Sequence, residues 1–362
     1  MKVIFRVDSS IEIGSGHILR CITLAIALRD KGVDCHFVSR NHQGNLIAEI
    51  KNAGFSLITL PELRISNNNQ SEKHAHWLGT DWKTDAEQTL GALGNTKFDW
   101  LIVDHYAIDH RWERAMKSIY QKIMVIDDLA DREHNCDVLL DQNLGATKKS
   151  YRKLIPKDCK TLIGPDFALL RPEFSMHREE SLNRRSKPEL KNILISFGGM
   201  DPSNETAGIL NQINFPQKFG ELILTVVLGK NAPWINEVIK LAKSIKHKIN
   251  IIVDANNMGY LMATNDLIIG GAGISSWERC CLGVPTLVVI QAPNQENNAR
   301  TLEKAGAALI LKKTPNKNNP LEILIELEKD KERLREMSEY SRIICDGNGA
   351  NRTAAHILEK SS

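Results

Sequence analysis

Residues 3–21 read VIFRVDSSIEIGSGHILRC and contain, in order, an apolar strand, a turn with two glycines and the beginning of a helix. The apolar run ends at Asp8, and after position 17 the apolar residues recur at helical spacing. A strand that passes through a glycine-containing turn into a helix is typical of the first unit of an α/β domain. The stretch therefore predicts an α/β fold and places His17 in the first turn of its first helix.

The alternation of strand and helix patterns continues along the first half of the chain. Further strands are predicted at 35–38, 55–60, 98–104, 122–128 and 137–141. Continuous apolar strands of this kind imply a parallel sheet covered by helices on both faces. Polar residues follow the predicted strands at their carboxyl ends, where active groups gather in parallel sheets: Asp8, Asp104-His105-Tyr106, Asp127-Asp128 and Asp141.

A second run of alternating strands and helices begins near residue 192 and continues to residue 311. Between the two runs, residues 173–190 are charged and aperiodic and lie between Pro172 and Pro188, a pattern typical of a linker. We therefore expect an N-terminal Rossmann-like domain at 1–172, a linker at 173–190, a C-terminal Rossmann-like domain at 191–346 and a C-terminal helix at 347–362. A length of 362 residues also favours two domains over one.

Composition and charge exclude several classes of protein. The net charge is only +3 and the charges are mixed along the chain, which argues against a nucleic-acid partner. No apolar run approaches the roughly 20 residues of a membrane span, and no secretory signal is recognisable, so we expect a cytoplasmic protein without membrane insertion. Seven cysteines without a C-x-x-C pair argue against a disulfide framework or a zinc site. The sequence does not indicate an oligomeric state.

The turn Gly14-Ser15-Gly16 and His17 admit two interpretations each. The turn lacks the third glycine of a dinucleotide motif, so its glycines either cradle an anion at a helix start or only permit the turn. The positive end of the helix dipole disfavours a charged imidazole, which makes His17 a plausible general base. Alternatively, a backbone carbonyl satisfies the His17 ring and the residue has no chemical role.

The second half of the chain carries its own glycine and amide clusters. Gly198 and Gly199 follow a strand, with Asp201 or Ser203 as possible helix caps. Gly273 precedes Ser275 and Glu278, whose spacing is that of a capping box, although Glu278 could instead accept hydrogen bonds from a ribose diol. The side-chain amides at 294–298 stand at a predicted helix start, where they could bind sugar or phosphate groups or could simply cap the helix. Asp127-Asp128 could pair on a metal ion, but no other ligands complete a site, which favours a structural or sugar-binding role.

These motifs together resemble a known family. RVDSSIEIGSGHILRCITLA, VDHYAID, IDDLADR, LLDQN, GPDFALLRPEF, SFGGMDP and GGAGISSWERCCLGVPTLVV occur in this order and are similar to the UDP-2,4-diacetamido-2,4,6-trideoxy-β-L-altropyranose hydrolases of pseudaminic acid biosynthesis. The last motif is shared more widely with GT-B glycosyltransferases such as the peptidoglycan UDP-N-acetylglucosamine transferase. The resemblance implies an α/β, GT-B-like fold, with two Rossmann-like domains of parallel sheets facing a central cleft.

The resemblance also implies roles for individual residues. His17 matches the catalytic base, Glu278 the ribose-binding acid and Tyr106 a sugar-contacting tyrosine, while the amide contact stays open among Asn294, Gln295 and Asn298. The expected substrate-binding group is completed by the following residues: Asp8, Gly14, Gly16, Arg20, Gly198, Gly199, Gly273 and Ser275.

The implied reaction is metal-independent and inverting hydrolysis of a UDP-sugar by water, with no cofactor. Two alternatives remain, a GT-B transferase that uses a UDP-amino sugar donor and a non-catalytic nucleotide-sugar binding protein.

Overall fold

The computed structural model of the protein describes residues 1–62, 74–213, 222–311 and 319–359. Residues 66–77 are polar and without periodicity, which predicts a surface loop or a lid, and this segment lies outside the described residues up to position 73. The chain divides into two compact units, one formed by Met1–Leu169 together with Asn348–Ser362 and the other by Leu170–Gly347. Each unit is described by itself below.

The first unit contains one parallel sheet of seven strands. Its elements are β1 (Lys2–Val7), α1 (Gly16–Arg29), β2 (Asp34–Arg40), α2 (Ile47–Asn52), β3 (Ser56–Leu60), α3 (Trp82–Leu93), β4 (Phe98–Asp104), α4 (His110–Ala115), β5 (Tyr120–Ile126), β6 (Val138–Asp141), α5 (Lys148–Tyr151) and β7 (Lys160–Ile163). Short 3-10 helices occupy Ala75–Leu78, Met116–Ser118 and Pro165–Phe167. The strand order is β3-β2-β1-β4-β5-β6-β7, which confirms the parallel α/β sheet that the sequence predicts.

The order of the strands reverses between β1 and β4, which are neighbours in this sheet. Val7 is in register with Asp104, so the loops after both strands leave the same edge side by side. Alternate residues of β1 are buried on opposite faces of the sheet. Phe5 lies in the hydrophobic core on one face and Ile4 in the core on the other. Ligands bind such sheets at the carboxyl ends where the order reverses. This edge is therefore where a functional site is expected.

The second unit has a six-stranded parallel sheet. Its elements are α6 (Pro172–Met176), α7 (Arg178–Arg185), β8 (Asn192–Ser196), α8 (Glu205–Ile213), β9 (Ile223–Leu228), α9 (Ile235–Ala242), β10 (Lys248–Val253), α10 (Met258–Thr264), β11 (Leu267–Gly271), α11 (Ser275–Cys281), β12 (Thr286–Val289), α12 (Glu296–Lys304), β13 (Ala308–Ile310), α13 (Pro320–Lys329) and α14 (Lys331–Ile344). The order β10-β9-β8-β11-β12-β13 is that of a Rossmann sheet and reverses between β8 and β11.

Residues 173–190 differ from the linker that their charge pattern predicts. They contain most of α6 and all of α7, and they belong to the second unit. Arg185 is buried and donates hydrogen bonds to the carbonyl oxygens of Ala263 and Asn265, and Ser181 donates to that of Leu282. Because polar side chains bonded to backbone hold this segment in place, a search for apolar periodicity does not detect its packing.

The C-terminal helix, α15 (Gly349–Glu359), returns to the first unit and packs against α1. Its apolar face places Ala354 and Ile357 in the core below β1. A Cβ atom at Gly349 would lie 2.4 Å from the carbonyl oxygen of Ala168, so only glycine allows this approach. The sequence predicts this helix, but only the packing shows that the helix belongs to the first unit.

The seven cysteines are free thiols, and all but Cys159 are buried. None of the helices within the described ranges combines the length and the apolar character that crossing a membrane requires.

Candidate active site

The central interaction of the first unit joins the end of β4 to the first turn of α1. His17 Nδ1 lies 2.6 Å from Asp104 Oδ1. Arg20, one turn further along α1, donates from Nε to Asp104 Oδ2 and from Nη2 to Oδ1, both at 2.6 Å. Burial alone would raise the pKa of Asp104, but the charges and hydrogen bonds of Arg20 and His17 hold it well below its usual range. Asp104 is therefore an ionised carboxylate inside the protein.

This arrangement determines which nitrogen of His17 carries the proton. An ionised carboxylate only accepts hydrogen bonds, so the 2.6 Å contact requires a proton on Nδ1 of His17. In the neutral ring, Nε2 then carries the lone pair, and it makes no hydrogen bond to any described residue. The His17 side chain is 8% exposed. His17 thus has a carboxylate partner, where the simplest alternative expected a backbone carbonyl, and it presents a proton acceptor.

The turn before His17 is closed by its own backbone. Gly14 has a φ of +76° and donates from its amide to the carbonyl oxygen of Ser10 at 2.9 Å. The Ser10 hydroxyl accepts from the amides of Glu12 and Ile13. No side chain caps α1, and within the described ranges the amides of residues 16–18 have no acceptor. Gly14 is thus needed for the turn geometry, and the amides of residues 16–18 at the start of α1 are open.

Tyr106, to which the resemblance assigns a sugar contact, lies directly beside His17. The two ring centroids are 4.6 Å apart at an interplanar angle of 85°. The Tyr106 hydroxyl donates to Asp128 Oδ1, and Arg20 Nη1 donates to Asp128 Oδ2 at 3.1 Å. This hydroxyl is already bonded, the residue is 9% exposed and the ring of Trp77 stacks on that of Tyr106, so Tyr106 has little surface of its own to offer a ligand.

Asp8 has a different environment from the substrate-binding position that the sequence predicts. It is fully buried, accepts from Arg6 Nη1 at 2.6 Å and from the Arg40 amide at 2.7 Å, and lies 3.2 Å from His105 Nε2. Arg6 and Arg40 both pair with Asp85 as well. Two buried guanidinium groups need buried counter-charges. Asp8 is therefore an internal ion-pair residue, with no surface to offer a ligand.

Asp127 and Asp128 point to different partners and do not form a metal-binding pair. Asp127 lies 2.9 Å from Arg132 Nη1 and accepts from the Ala130 amide, whereas Asp128 belongs to the Tyr106 and Arg20 network. Throughout the described part of the chain, no group of three His, Cys, Asp or Glu residues is arranged to hold a metal ion. The structural role favoured for this pair matches the observed contacts.

The glycine loop after β8 in the second unit permits a close approach of two backbones. A Cβ atom at Gly229 would lie 2.2 Å from the carbonyl oxygen of Gly199, and Gly198 has a φ of +82°. Asp201 accepts from the amides of Glu205 and Thr206 at the start of α8, as its predicted capping alternative requires. The glycines therefore shape the carboxyl edge of this sheet.

Glu278 is not part of a capping box. Helix α11 begins at Ser275, no side chain caps it, and the Ser275 hydroxyl accepts from Arg279 at 3.1 Å. The Glu278 side chain is 16% exposed, with Oε1 3.9 Å from Arg171 Nη2. Burial raises the pKa of Glu278 to about 7, against the opposing charge of Arg171. Its carboxyl group thus remains available to a ligand.

Gln295 and Asn298 brace the loop that follows β11. Gln295 Oε1 accepts from the amides of Ala272 and Gln291, each at 3.2 Å, and Asn298 Nδ2 donates to the carbonyl oxygen of Ala272 at 3.5 Å. A Cβ atom at Gly273 would have no neighbour nearer than 4.0 Å, so this glycine leaves open space beside Gln295. Gln295 occupies the N-cap position of α12, but its side chain makes no capping hydrogen bond. Both amides therefore support the carboxyl edge at β11, and the Asn294 side chain lies outside what the structure describes.

Sequence reasoning did not assign a role to two residues at this site. The sequence indicates Asp104 only as a strand end, because a contact with His17 across 87 positions leaves no local signal. Trp77, whose ring lies 6.4 Å from that of His17, falls in a segment without periodicity.

Comparisons with known proteins bear on the family resemblance and on the fold. Residues 206–355 match the family model described as the glycosyltransferase family 28 C-terminal domain. The UDP-2,4-diacetamido-2,4,6-trideoxy-beta-L-altropyranose hydrolase of Campylobacter jejuni is 29% identical over 308 residues, which are 84% of this chain and 97% of that protein. The resemblance predicted from the motifs is thereby confirmed.

Two further comparisons concern the fold and the extent of the chain. An uncharacterized protein of Methanocaldococcus jannaschii, MJ1062, is 31% identical over 296 residues, and the chain spans 56% of its length. The crystal structure of MurG from Acinetobacter baumannii matches with a TM-score of 0.69 at 15% identity and covers 99% of both chains. The α/β, GT-B-like fold with two Rossmann-like units is confirmed.

Proposed function

We propose that this chain hydrolyses a UDP-linked diacetamido-trideoxy hexose to UDP and the free sugar. The observation that carries the proposal is the hydrogen bond from His17 to the ionised Asp104, which leaves the lone pair of Nε2 without a partner among the described residues. The Campylobacter jejuni relative supplies the substrate, UDP-2,4-diacetamido-2,4,6-trideoxy-β-L-altropyranose, and the reaction class.

In the proposed reaction, His17 Nε2 takes a proton from a water molecule as the water oxygen attacks the anomeric carbon. The bond between that carbon and the UDP oxygen breaks, and its electron pair leaves with the diphosphate. Because attack comes from the face opposite UDP, the configuration at the anomeric carbon inverts. Asp104 stabilises the imidazolium that forms, as a carboxylate does in a histidine-carboxylate pair.

We assign stabilisation of the leaving diphosphate to backbone amides. Residues 16–18, whose backbone amides have no acceptor, form the first turn of a helix of 14 residues. The dipole of this helix favours negative charge at its amino-terminal end. This part of the proposal includes no metal ion. Activity of the purified protein should therefore be retained after prolonged dialysis against EDTA, and a loss that Mg²⁺ restores would refute it.

Binding of the nucleotide is assigned to the second unit. Its match to the glycosyltransferase family 28 C-terminal domain supports this assignment. A carboxylate can accept two hydrogen bonds from a ribose diol, and Glu278 is half-buried at the edge of a Rossmann sheet with both oxygens uncommitted to a helix cap. Gln295 and Asn298 hold the neighbouring loop and are the amides that we place next to the substrate.

The proposal is tested by incubating the purified protein with the UDP-sugar in the absence of any acceptor. Release of UDP and a free sugar of inverted configuration, followed by NMR, is the expected result. His17→Asn should abolish turnover while UDP still binds. His36→Asn is the matched control, because His36 also pairs with an aspartate, Asp34 at 2.9 Å, but lies in the amino-terminal half of β2.

Two other functions would give different results in the same experiment. The family 28 match also fits a transferase that uses a UDP-amino sugar donor, and such an enzyme would release UDP only when an acceptor is added. A non-catalytic binding protein would bind UDP-sugar without turnover, and His17→Asn would leave every measurable property but binding unchanged.

A further inference from the structure

Trp77 is an aromatic residue next to His17 that the proposed reaction does not use. It lies in the short 3-10 helix Ala75–Leu78, and its ring stacks on that of Tyr106 with centroids 5.4 Å apart and an interplanar angle of 18°. Its centroid is 6.4 Å from that of the His17 ring. The indole is half-buried. The ring of His74 belongs to the same aromatic group, 4.6 Å from that of Trp77 and 5.4 Å from that of Tyr106. Trp77 therefore lies beside the His17 site, with part of its ring covered by His74 and Tyr106.

The ring of Trp77 is held in place by its surroundings. Leu78, the next residue, is 1% exposed and belongs to the core of the first unit. Gly79 ends the helix with a φ of +70°, where a Cβ atom would lie 2.9 Å from His42 Cε1. Below the indole, the Tyr106 hydroxyl is bonded to Asp128. Trp77 is thus presented on a rigid support.

The polar end of the Trp77 indole has no hydrogen-bond partner among the residues that the structure describes. Trp112 Nε1, in comparison, donates to Asp85 Oδ1 at 2.9 Å. Trp77 Nε1 donates to no residue that the structure describes, and it is not among the fully buried polar atoms. Buried or half-buried indoles usually find an acceptor. A ligand with an apolar surface and a carbonyl oxygen would satisfy both features of this side chain.

We infer that Trp77 is a specificity residue that packs against the apolar, acetamido-bearing face of the sugar. This inference rests on the proposed function and names the part of the substrate that is recognised. A diacetamido-trideoxy hexose carries three methyl groups, one at C5 and one in each acetamido group, and two amide carbonyl oxygens. Its methyl groups suit the indole face, and an acetamido carbonyl can accept from Nε1. Tyr106 acts as the support that orients Trp77.

Kinetics with two variants test this role. Trp77→Ala should raise KM and lower kcat/KM for the diacetamido-trideoxy substrate by about ten- to a hundred-fold, as expected for loss of one well-packed aromatic contact. Trp77→Phe keeps an aromatic ring but has no N–H, so its kcat/KM should fall less than that of Trp77→Ala. Affinity for UDP alone should not change. Trp82→Phe is the control, since Trp82 contacts Arg111 and has no part in the site. Thermal unfolding of each variant shows whether the fold is retained.

A binding experiment separates failure of this inference from failure of the proposed function. The change in tryptophan fluorescence on adding UDP-sugar, measured relative to UDP alone in the His17→Asn background so that the sugar is not hydrolysed, should be present without a further substitution and with Trp82→Phe, and absent with Trp77→Phe. This readout does not need turnover. The inference is overturned if Trp77→Phe keeps the full change, or if Trp77→Ala lowers kcat with KM unaltered, which would indicate that the indole only supports His17.

Discussion

His17 Nδ1 and Asp104 Oδ1 are 2.6 Å apart, although 87 positions separate the two residues in the chain. The contact exists because β1 and β4 are neighbours in the sheet and the helix after β1 begins at the same edge where β4 ends. Arg20 binds both oxygens of the same carboxylate and keeps it ionised. The pair gives His17 a defined tautomer before any substrate binds.

Asp104→Asn should reduce kcat by about 10²- to 10⁴-fold, because an amide can donate to His17 Nδ1 and thereby favour the tautomer with the proton on Nε2. UDP affinity should stay within about three-fold of the wild type, since the nucleotide is assigned to the second unit. Steady-state kinetics and calorimetric titration with UDP measure both quantities. Asp99→Asn, on the same strand, is the control, because Asp99 is half-exposed and bonds only to the Lys2 amide and Gln121. Full activity in Asp104→Asn would contradict the proposed orientation of His17.

The affinity for UDP should increase as the pH rises through about 7. Burial raises the pKa of Glu278 to about 7, so below this pH the side chain is largely protonated and loses part of its capacity to accept from a ribose diol. Titrations with UDP between pH 6 and pH 8 measure the effect. Glu278→Gln should bind more weakly than the wild type at pH 8 and show little dependence on pH. An equal pH dependence in both proteins would exclude Glu278 as its source.

Stability should also depend on a buried carboxyl group of the first unit, that of Asp141. Burial raises the pKa of Asp141 to about 7, despite a hydrogen bond from the Asn143 amide. In the unfolded chain the pKa is about 3.9, so the native state binds the proton more tightly and the free energy of unfolding decreases as the pH rises from about 4 to about 7. The difference in free energy of unfolding between Asp141→Asn and the wild type should therefore shift by a few kcal/mol in favour of the variant as the pH rises from 5 to 8.

Chemical denaturation at a series of pH values measures this difference. Asp158→Asn is the control, because Asp158 is exposed and should show no such trend. If the difference between Asp141→Asn and the wild type were constant over this range, titration of Asp141 would not explain the pH dependence.

Two glycines of the second unit should respond in opposite ways to alanine. Gly229→Ala should destabilise by a few kcal/mol, because its Cβ would lie 2.2 Å from the Gly199 carbonyl oxygen and one backbone must move. Gly208→Ala, within α8, should stabilise by about 0.5–1 kcal/mol, since that Cβ would meet no atom within 4 Å and alanine favours a helix. Urea denaturation of the two variants gives both values. A destabilised Gly208→Ala would contradict the open space at that position.

The fold was largely predictable because its signals are local. Apolar strands alternating with amphipathic helices predict parallel sheets, and both sheets are confirmed. The helical segment at 172–185 was not predicted, because Arg185 and Ser181 hold it through hydrogen bonds to carbonyl oxygens that leave no apolar period. The return of α15 to the first unit depends on packing between positions more than 300 residues apart, such as Ile18 and Ala354, both in one core.

At the candidate site, the sequence by itself determined that His17 follows a glycine turn at a helix start and that Asp104 ends a strand. Both features are local, because each depends only on the residues within a short segment of the sequence. Only the tertiary structure decided that Asp104 orients His17, that Asp8 is an internal counter-charge, and that Trp77 stacks on Tyr106. The physical reason is that hydrogen bonds, ion pairs and ring contacts act over a few ångströms in space, and the strand order of the sheet determines which distant residues come within that range.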